Sequence, residues 1–452
     1  MQLSQALRIS AGDIVAFVGG GGKTTAMFRL AAELAQAGQR VITTTTTRIF
    51  AAQIALAPAH IALESASAPT DWTPILAALD QHQHVLITGK VDPESGKAFG
   101  VDPRLVSQFA RLPGVAAVLN EADGSRMRPF KAPAAHEPVI PAETTLVVPV
   151  VGADIFSEPL TDERVHRAER VSELAGAPMG TLLTPALVAR VLTHPQGGLK
   201  NIPPQACVVS LINKVESQTH FDAAREMAKL LLGNPAIDSV VLGTVKREDA
   251  VREVHGRVAA IVLAAGRSTR MGTPKQILPW GDTTLIGEVV RRLEQCALAE
   301  MLVVTGAARE AVEASLTNTS ARCVFNPDYE SSEMARSLQV GLQAMAPNIS
   351  AVLVVLADQP QMESAVIGAV TQRWRETLAP MVAPAHHGQR GHPMLFDHAS
   401  WPTLFQLPAH ANPREALSAH PIELVNVATD SIFLDLDTPA EYAHAKATRG
   451  LV

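Results

Sequence analysis

Ile261-Val262-Leu263-Ala264-Ala265-Gly266-Arg267-Ser268-Thr269-Arg270-Met271-Gly272-Thr273-Pro274-Lys275 carries an apolar, β-branched segment directly into a loop of small residues ending in cations. The apolar run reads as a buried strand, and the small residues after it let backbone amides approach a phosphate closely. Leu263, Ala264, Ala265 and Gly266 are therefore expected to face a nucleotide. Arg270 and Lys275 are placed to neutralise the charge that builds on a departing pyrophosphate. A strand that hands over to a ligand loop in this way belongs to an α/β fold, Rossmann-like, with a mostly parallel sheet.

The same logic recurs near the start of the chain. Asp13-Ile14-Val15-Ala16-Phe17-Val18-Gly19-Gly20-Gly21-Gly22-Lys23-Thr24-Thr25 is a strand, four glycines, a lysine and two hydroxyls, followed by a helical pattern from Ala26 to Gln36. Gly19, Gly20, Gly21 and Gly22 allow amides to converge on a phosphate, Lys23 supplies charge, and Thr24, with Thr25 beside it, is placed to ligate magnesium. Phe17 occupies the first glycine position of G-x-x-x-x-G-K-[ST], so the loop takes the shorter G-x-x-G-K-T form. Leu119-Asn120-Glu121-Ala122-Asp123-Gly124-Ser125 ends a strand in acidic residues, and Asp123 is the expected metal contact there. The later hydroxyls of Thr43-Thr44-Thr45-Thr46-Thr47 are candidates for phosphate or metal contact.

Elsewhere short β-branched runs alternate with alanine- and leucine-rich stretches, the pattern of parallel sheets covered by helices. Strands are expected at 14–18, 40–44, 84–88, 116–119 and 145–150, then at 259–263, 301–305, 351–356 and 380–383. The polar run Lys246 to Glu253 reads as a connector. A cut near His255 gives an N-terminal P-loop-like nucleotide-binding domain, 1–254, and a C-terminal domain built around the second nucleotide loop, 255–452. His166, Arg167 and Glu169 read as neighbours on one helix.

At 452 residues, 47% hydrophobic and 18% charged, the chain has the composition of a globular protein of two or three domains. A net charge of -6 argues against a general nucleic-acid binder. Cys207, Cys296 and Cys323 are too few and too scattered for a disulfide framework or a zinc cluster, which favours a reducing, cytoplasmic setting. No apolar run is long enough for a membrane span, so no membrane partner is expected.

Nucleotidyl transfer needs in-line geometry and neutralisation of phosphate charge more than covalent help from the protein. Asp358 follows the apolar run Ala351 to Leu356, where a doubly wound sheet presents ligands at its carboxyl edge, and is a candidate catalytic magnesium ligand. Asp435 and Asp437 alternate on a short extended segment before Thr438-Pro439, a helix start, and either can complete the metal site.

Four segments of the second half, L-A-A-G-x-x-x-R-M-G-x-x-K from Leu263, Leu356-Ala357-Asp358-Gln359-Pro360, Gly391-His392-Pro393-Met394-Leu395-Phe396 and Asp435-Leu436-Asp437-Thr438-Pro439-Ala440-Glu441, together resemble the MobA-like nucleotidyltransferases, and more closely the molybdenum-cofactor cytidylyltransferases. The resemblance favours Asp437 over Asp435 as the second metal ligand. Through Ala265, where guanine-using members carry glycine, it implies CTP as the donor. It also implies a molybdopterin-type acceptor, with Ser337, in a segment resembling N-P…G-M-x-x-S-L, and His392 on the acceptor side. Glu333 stands where glycine is usual, and Ala409-His410-Ala411-Asn412-Pro413-Arg414 departs from G-D-x-G-A-R.

In the first half, G-G-G-G-K-T-T, T-T-T-T-T-R, the run from Glu121 to Pro133 and His136-Glu137-Pro138-Val139-Ile140-Pro141 resemble the selenium-dependent hydroxylase accessory proteins. Leu211-Ile212-Asn213-Lys214-Val215-Glu216 is similar to the N-K-x-D base-reading element, with glutamate replacing aspartate. The expectation is therefore a bifunctional protein. Its second half transfers CMP from CTP with Mg2+, and its first half binds ATP or GTP and assists a molybdenum hydroxylase or its chaperone. Cytidylyl transfer to methylerythritol phosphate, suggested by Pro274-Lys275-Gln276, and non-catalytic nucleotide sensing are the alternatives.

Overall fold

Apolar runs rich in valine, isoleucine and leucine become strands buried on both faces, as parallel sheets covered by helices require. The computed structural model describes residues 1–64, 71–330, 334–408 and 422–451. These divide into two units, Met1–His255 and Gly256–Val452.

The first unit holds a nine-stranded sheet. Its strands lie in the order Val251–Gly256, Ser239–Gly243, Cys207–Asn213, Leu146–Gly152, Asp13–Gly19, Val115–Glu121, Arg40–Thr45, His84–Thr88 and His60–Ala62. Asp13–Gly19 pairs in parallel with Leu146–Gly152 on one side and Val115–Glu121 on the other. Its carboxyl end, the glycine turn, is thereby flanked by Val150 and by Glu121.

The second unit has strands in the order Arg322–Phe325, Met301–Thr305, Val258–Ala264, Ala351–Leu356, Met394–Asp397, Met381–His386 and Gln389–Arg390, with Ile422–Asn426 pairing to Met381–His386. The first four are mutually parallel, whereas Met394–Asp397 runs antiparallel to both of its neighbours. From Val258–Ala264 the chain builds outward on one side and then returns to the other side with Ala351–Leu356. That reversal opens a crevice at the carboxyl ends of these two strands, the place where such sheets bind ligands.

Lys246 to Glu253 is not a free connector. Val251–Gly256 joins the sheet, and the charge of Glu253 is met there by Arg225 and by His255 at 2.8 Å, so a polar run is compatible with a buried strand. His166, Arg167 and Glu169 do not share a helix either. His166 ends the strand Val165–His166, Arg167 adopts a left-handed φ of 62°, and only Glu169 lies in the helix Ala168–Ala175. Among the described residues no helix is long and apolar enough to cross a membrane.

Candidate functional site

In the second unit the loop after Val258–Ala264 is fixed from within. Gln276, only 2% exposed, donates from Nε2 to the carbonyls of Ala264 at 3.1 Å and Gly266 at 3.0 Å. Ser268, at a left-handed φ of 51°, accepts from the Lys275 amide at 3.0 Å. These bonds hold the loop's carbonyls inward, and among the described residues the amides of Gly266, Arg267 and Ser268 donate to no protein acceptor. A Cβ at Gly266 would meet nothing within 4 Å. The loop thus presents free amides to open space, as an anion cradle needs.

The Ala265 methyl packs towards Gly306, whose own Cβ would come within 2.9 Å of it.

Lys275, Asp358 and Asp437 converge from three separate segments. Lys275 Nζ donates to Asp358 Oδ2 and, at 2.7 Å, to Asp437 Oδ1. Arg270, 71% exposed on its side chain, reaches Asp437 Oδ2 at 2.9 Å. Burial pulls the Lys275 ammonium down, but the two carboxylates outweigh it and hold it above its usual value. Burial likewise pushes Asp437 up, and Lys275 with Arg270 overcomes that and keeps it below the ordinary carboxylate range. Lysine and aspartate are therefore both charged at neutral pH.

Asp435 takes another path. Its carboxylate accepts from Gln359 Nε2 at 2.6 Å, and burial, with the nearby charge of Asp358, raises its pKa. Asp435 and Asp437 differ in hydrogen-bond partner, Gln359 for the first and Lys275 for the second, yet Asp435 also stands in the field of Asp358, Asp437 and Lys275. Thr438 caps the helix Pro439–Thr448, accepting from Glu441 N at 3.3 Å, and this cap places Asp437 at the helix entrance.

Asp358 Oδ1 is buried and has no hydrogen-bond partner among the described residues. A hard cation satisfies such an oxygen. No three His, Cys, Asp or Glu side chains among the described residues stand together as a complete metal cage. A magnesium ion at this point would rest on few carboxylates and draw other ligands from phosphate and water, which is its usual habit.

On the expected acceptor side, Ser337 Oγ accepts from Asn326 Nδ2 at 3.0 Å, and both side chains are buried. His392 is 3% exposed, and its amide donates to the Ile432 carbonyl at 3.1 Å, which Gln359 Nε2 also approaches at 3.4 Å. That shared carbonyl links the His392 turn to the residue following Asp358. Glu333 and the segment 409–414 lie outside the described residues.

In the first unit the glycine turn is closely packed. Added Cβ atoms at Gly20 and Gly21 would lie 2.7 Å from the Arg128 carbonyl and 2.1 Å from the Gly152 amide. Its amides are not all free, contrary to the convergence expected of four glycines. Gly19 N donates to Asp123 at 3.1 Å, Gly20 N to Val150 at 2.9 Å and Gly21 N to Arg128 at 2.9 Å. Those left without a protein acceptor among the described residues are Gly22 and the first helical amides, Lys23, Thr24 and Thr25 of Lys23–Gln36.

Lys23, 3% exposed, donates to the Gly19 carbonyl at 2.7 Å and pairs with Asp123 at 3.2 Å. Asp123 also pairs with Lys131 at 3.0 Å, so its carboxylate serves the lysines and the turn's backbone rather than Thr24. It is Glu121 that accepts from the Thr24 hydroxyl, at 2.6 Å, and burial raises its pKa. Glu121 and Asp123 differ by two residues, but only Glu121 pairs in register opposite Phe17 on the central strand.

The threonine run is spent mainly on the sheet. Thr44 donates to Ile87, Thr45 to Glu121 and Thr46 to Val139 carbonyls, leaving Thr46 and Thr47 at the edge of a cleft of about 850 Å³. Lys23, Thr24 and Thr25 line that cleft, as do Asn213, Lys214 and Glu216 of the N-K-x-E segment. Asn213 ties the glycine turn down, donating to the Gly21 carbonyl at 2.8 Å and accepting from Val245 N at 3.0 Å.

Residues 15–169 match the model of the YqeC protein family, and residues 260–424 match the MobA-like NTP transferase domain. The chain is 31% identical over 248 residues to the uncharacterized protein YqeC of Escherichia coli strain K12, covering 53% of this chain and 90% of that protein. This chain joins a YqeC-family unit to a MobA-like NTP transferase unit. The MobA-like unit is 28% identical over 189 residues to the molybdenum cofactor cytidylyltransferase of the same organism, covering 42% of this chain and 95% of that enzyme. It is also 30% identical over 190 residues to the nicotine blue oxidoreductase of Paenarthrobacter nicotinovorans, covering 40% of this chain and 92% of the relative. The MobA-like unit makes the protein a nucleotidyltransferase, and its family-matched region includes the loop 264–275 and Asp358 but ends before Asp437.

Gln276, visible in the sequence only as the end of Pro274-Lys275-Gln276, serves the loop backbone here. Gln276→Ala removes both carbonyl clamps; the expected result is a several-fold rise in KM for the nucleotide and a loss of about 1–2 kcal/mol in stability. Initial rates and urea unfolding check the pair of effects.

Proposed function

We propose that the MobA-like unit transfers CMP from CTP to a molybdopterin-type cofactor and releases pyrophosphate. The observation that carries the reading is the meeting of Lys275, Asp358 and Asp437 beneath a loop with free amides, with Asp358 Oδ1 left for a cation. Free amides from Gly266 to Ser268 receive triphosphate oxygens, and Arg270 and Lys275 oppose the negative charge that grows on the leaving pyrophosphate. Asp358 and Asp437 hold magnesium, which, when bound, supplies Lewis-acid stabilisation of the phosphoryl oxygens. Ser337 and His392 belong to the acceptor side, where the shared Ile432 carbonyl couples the His392 turn to the metal segment.

The similarity to a molybdenum cofactor cytidylyltransferase over nearly all of that enzyme supports this donor and acceptor. The test is a panel of acceptors. With CTP and Mg2+, turnover is expected with molybdopterin cofactor and not with methylerythritol phosphate; the reverse pattern would remove the proposed acceptor while keeping the transfer chemistry.

The donor choice rests on Ala265, where guanine-using members of the family it resembles carry glycine, and on the idea that its methyl leaves less room for a purine. Ala265→Gly is expected to shift the GTP-to-CTP ratio of kcat/KM by roughly tenfold towards GTP. Competition between the two nucleotides in one assay reads that ratio directly, and an unchanged ratio would place base selection elsewhere.

For the YqeC unit the proposal is a nucleoside triphosphate, ATP or GTP, held at Lys23, Thr24 and Thr25, with magnesium between Thr24 and Glu121. The unit then serves the delivery or maturation of the cofactor for a molybdenum hydroxylase. The boundary of the two functions is placed near His255.

A further inference from the structure

A second recess, of about 340 Å³, adjoins the N-terminal cleft and is lined by Arg126, Arg128, Asp162, Val165, His166 and Arg167. None of the glycine turn lines it, while Arg126, His166 and Arg167 border both spaces. Three guanidinium groups line it with the single carboxylate of Asp162, while Glu137 pairs with Arg167 from outside the lining. The larger cleft shares the bias, with seven lysines and arginines against three glutamates in a chain whose net charge is -6.

Arg128 lies in the field of Glu163, but neither it nor Arg126 is held by a fixed contact. Among the described residues neither side chain has a hydrogen bond or an ion pair. Arg167 is instead pre-set, with Nη1 2.8 Å and Nη2 3.0 Å from the two oxygens of Glu137 and Nη1 3.2 Å from the Ala132 carbonyl. His166 reports the field of the recess. Burial and the charges of Arg167, Lys131 and Arg126, against Glu137, hold its pKa down at about 4, so it stands neutral and able to hydrogen-bond an anion.

The arginines are also joined to the glycine turn. Arg126 and Met127 take consecutive left-handed φ values of 49° and 60°, and the turn closes from Arg128 N to the Ser125 carbonyl at 3.0 Å. Its Arg128 carbonyl is the one that holds Gly21 N. A chain of buried ion pairs runs in parallel: Lys23 to Asp123 at 3.2 Å, Asp123 to Lys131 at 3.0 Å, Lys131 to Glu137 at 2.7 Å, and Glu137 to Arg167. Lys23, at the proposed nucleotide site, and Arg167, in the recess, are thus the ends of one fixed network.

We propose that this recess binds the phosphate group of a second small-molecule ligand, a phosphomonoester, so that the N-terminal cleft takes two anionic ligands at once. Arg126, Arg128 and Arg167 receive its phosphate oxygens, and the rest of the molecule extends into the adjoining cleft. Guanidinium groups suit this role because their planar donors match phosphate geometry in pairs. The proposal goes beyond the nucleotide reading and does not require it, since neither Arg126 nor Arg128 belongs to the glycine turn.

Equilibrium dialysis of the full chain against labelled inorganic phosphate, with and without saturating ATP or GTP, tests it. The parent is expected to retain phosphate when the nucleotide is saturating. The Arg126→Ala/Arg128→Ala variant should weaken that phosphate at least tenfold while ATP or GTP affinity stays within twofold and the unfolding midpoint is unchanged. If the double variant fails to fold, Arg126→Glu replaces it with the same expected loss. Displacement of all phosphate by nucleotide in the parent, or phosphate affinity unchanged in the arginine variants, would overturn the proposal. If neither nucleotide binds the parent, the nucleotide reading fails, and the phosphate difference between parent and arginine variant still decides this one.

Discussion

Asp358→Asn is expected to lower nucleotidyl transfer by roughly 10³-fold, the effect of losing several kcal/mol of metal-borne charge stabilisation. The size follows from position. Asp358 lies two residues past the strand Ala351–Leu356, which pairs with the donor-loop strand; one of its oxygens accepts from Lys275, and the other is buried without a hydrogen-bond partner among the described residues. Asparagine keeps the shape and an oxygen for Lys275 but lacks the charge that draws a divalent cation. Nucleotide affinity without metal should therefore stay within a few-fold of the parent, whereas the gain in affinity on adding magnesium disappears. Pyrophosphate release measures the first effect and nucleotide titration with and without magnesium the second. A rate within tenfold of the parent would show that Asp358 does not hold the catalytic ion.

Lys23→Ala should produce the largest effect in the first unit, on stability and on binding together. Lys23 is buried between the Gly19 carbonyl and the carboxylates of Asp123 and Glu121. Removing one partner of a buried ionic group typically costs about 3–5 kcal/mol, because the remaining charge is left uncompensated. Lys131 still meets Asp123, which places the expected loss towards the lower end of that range. Removing a charge-assisted contact to phosphate weakens ATP or GTP binding by roughly 10- to 100-fold. Calorimetric unfolding and nucleotide titration check the two effects separately. Unchanged affinity in a folded variant would remove the phosphate-loop role of Lys23, whatever the stability change.

Much of the fold is readable from short runs because buried parallel strands are apolar throughout. The expected strands at 84–88, 301–305 and 351–356 coincide with His84–Thr88, Met301–Thr305 and Ala351–Leu356. Val251–Gly256 is not readable as a strand, since Glu253 looks solvated until the fold brings Arg225 to it beside His255 of the same strand. Met394–Asp397 is only four residues long and antiparallel, and the Gly391-His392-Pro393 turn before it masks the strand signal.

The sites were legible to a similar depth. Lys275, Asp358 and Asp437 are far apart in sequence, yet each sits in a segment with its own signature, and the structure brings the three together. Gln276 stands out in the sequence only within Pro274-Lys275-Gln276, and nothing there shows that its amide clamps the carbonyls of its own loop. Glu121 and Asp123 could not be told apart at a strand end without the register that sets Glu121 against the central strand and the lysines that claim Asp123. Glycines whose amides are spent on Asp123, Val150 and Arg128 look, in sequence, the same as glycines whose amides await a phosphate.

A single-turnover experiment with α-phosphate-labelled CTP, magnesium, molybdopterin cofactor and the full chain tests the central claim most directly. The account predicts that label appears in the cofactor with one pyrophosphate released for each CMP transferred, and that Asp358→Asn suppresses both. Label that stays in CTP would show nucleotide sensing without transfer, and label released as free CMP would show hydrolysis; either result would contradict cytidylyl transfer at this site.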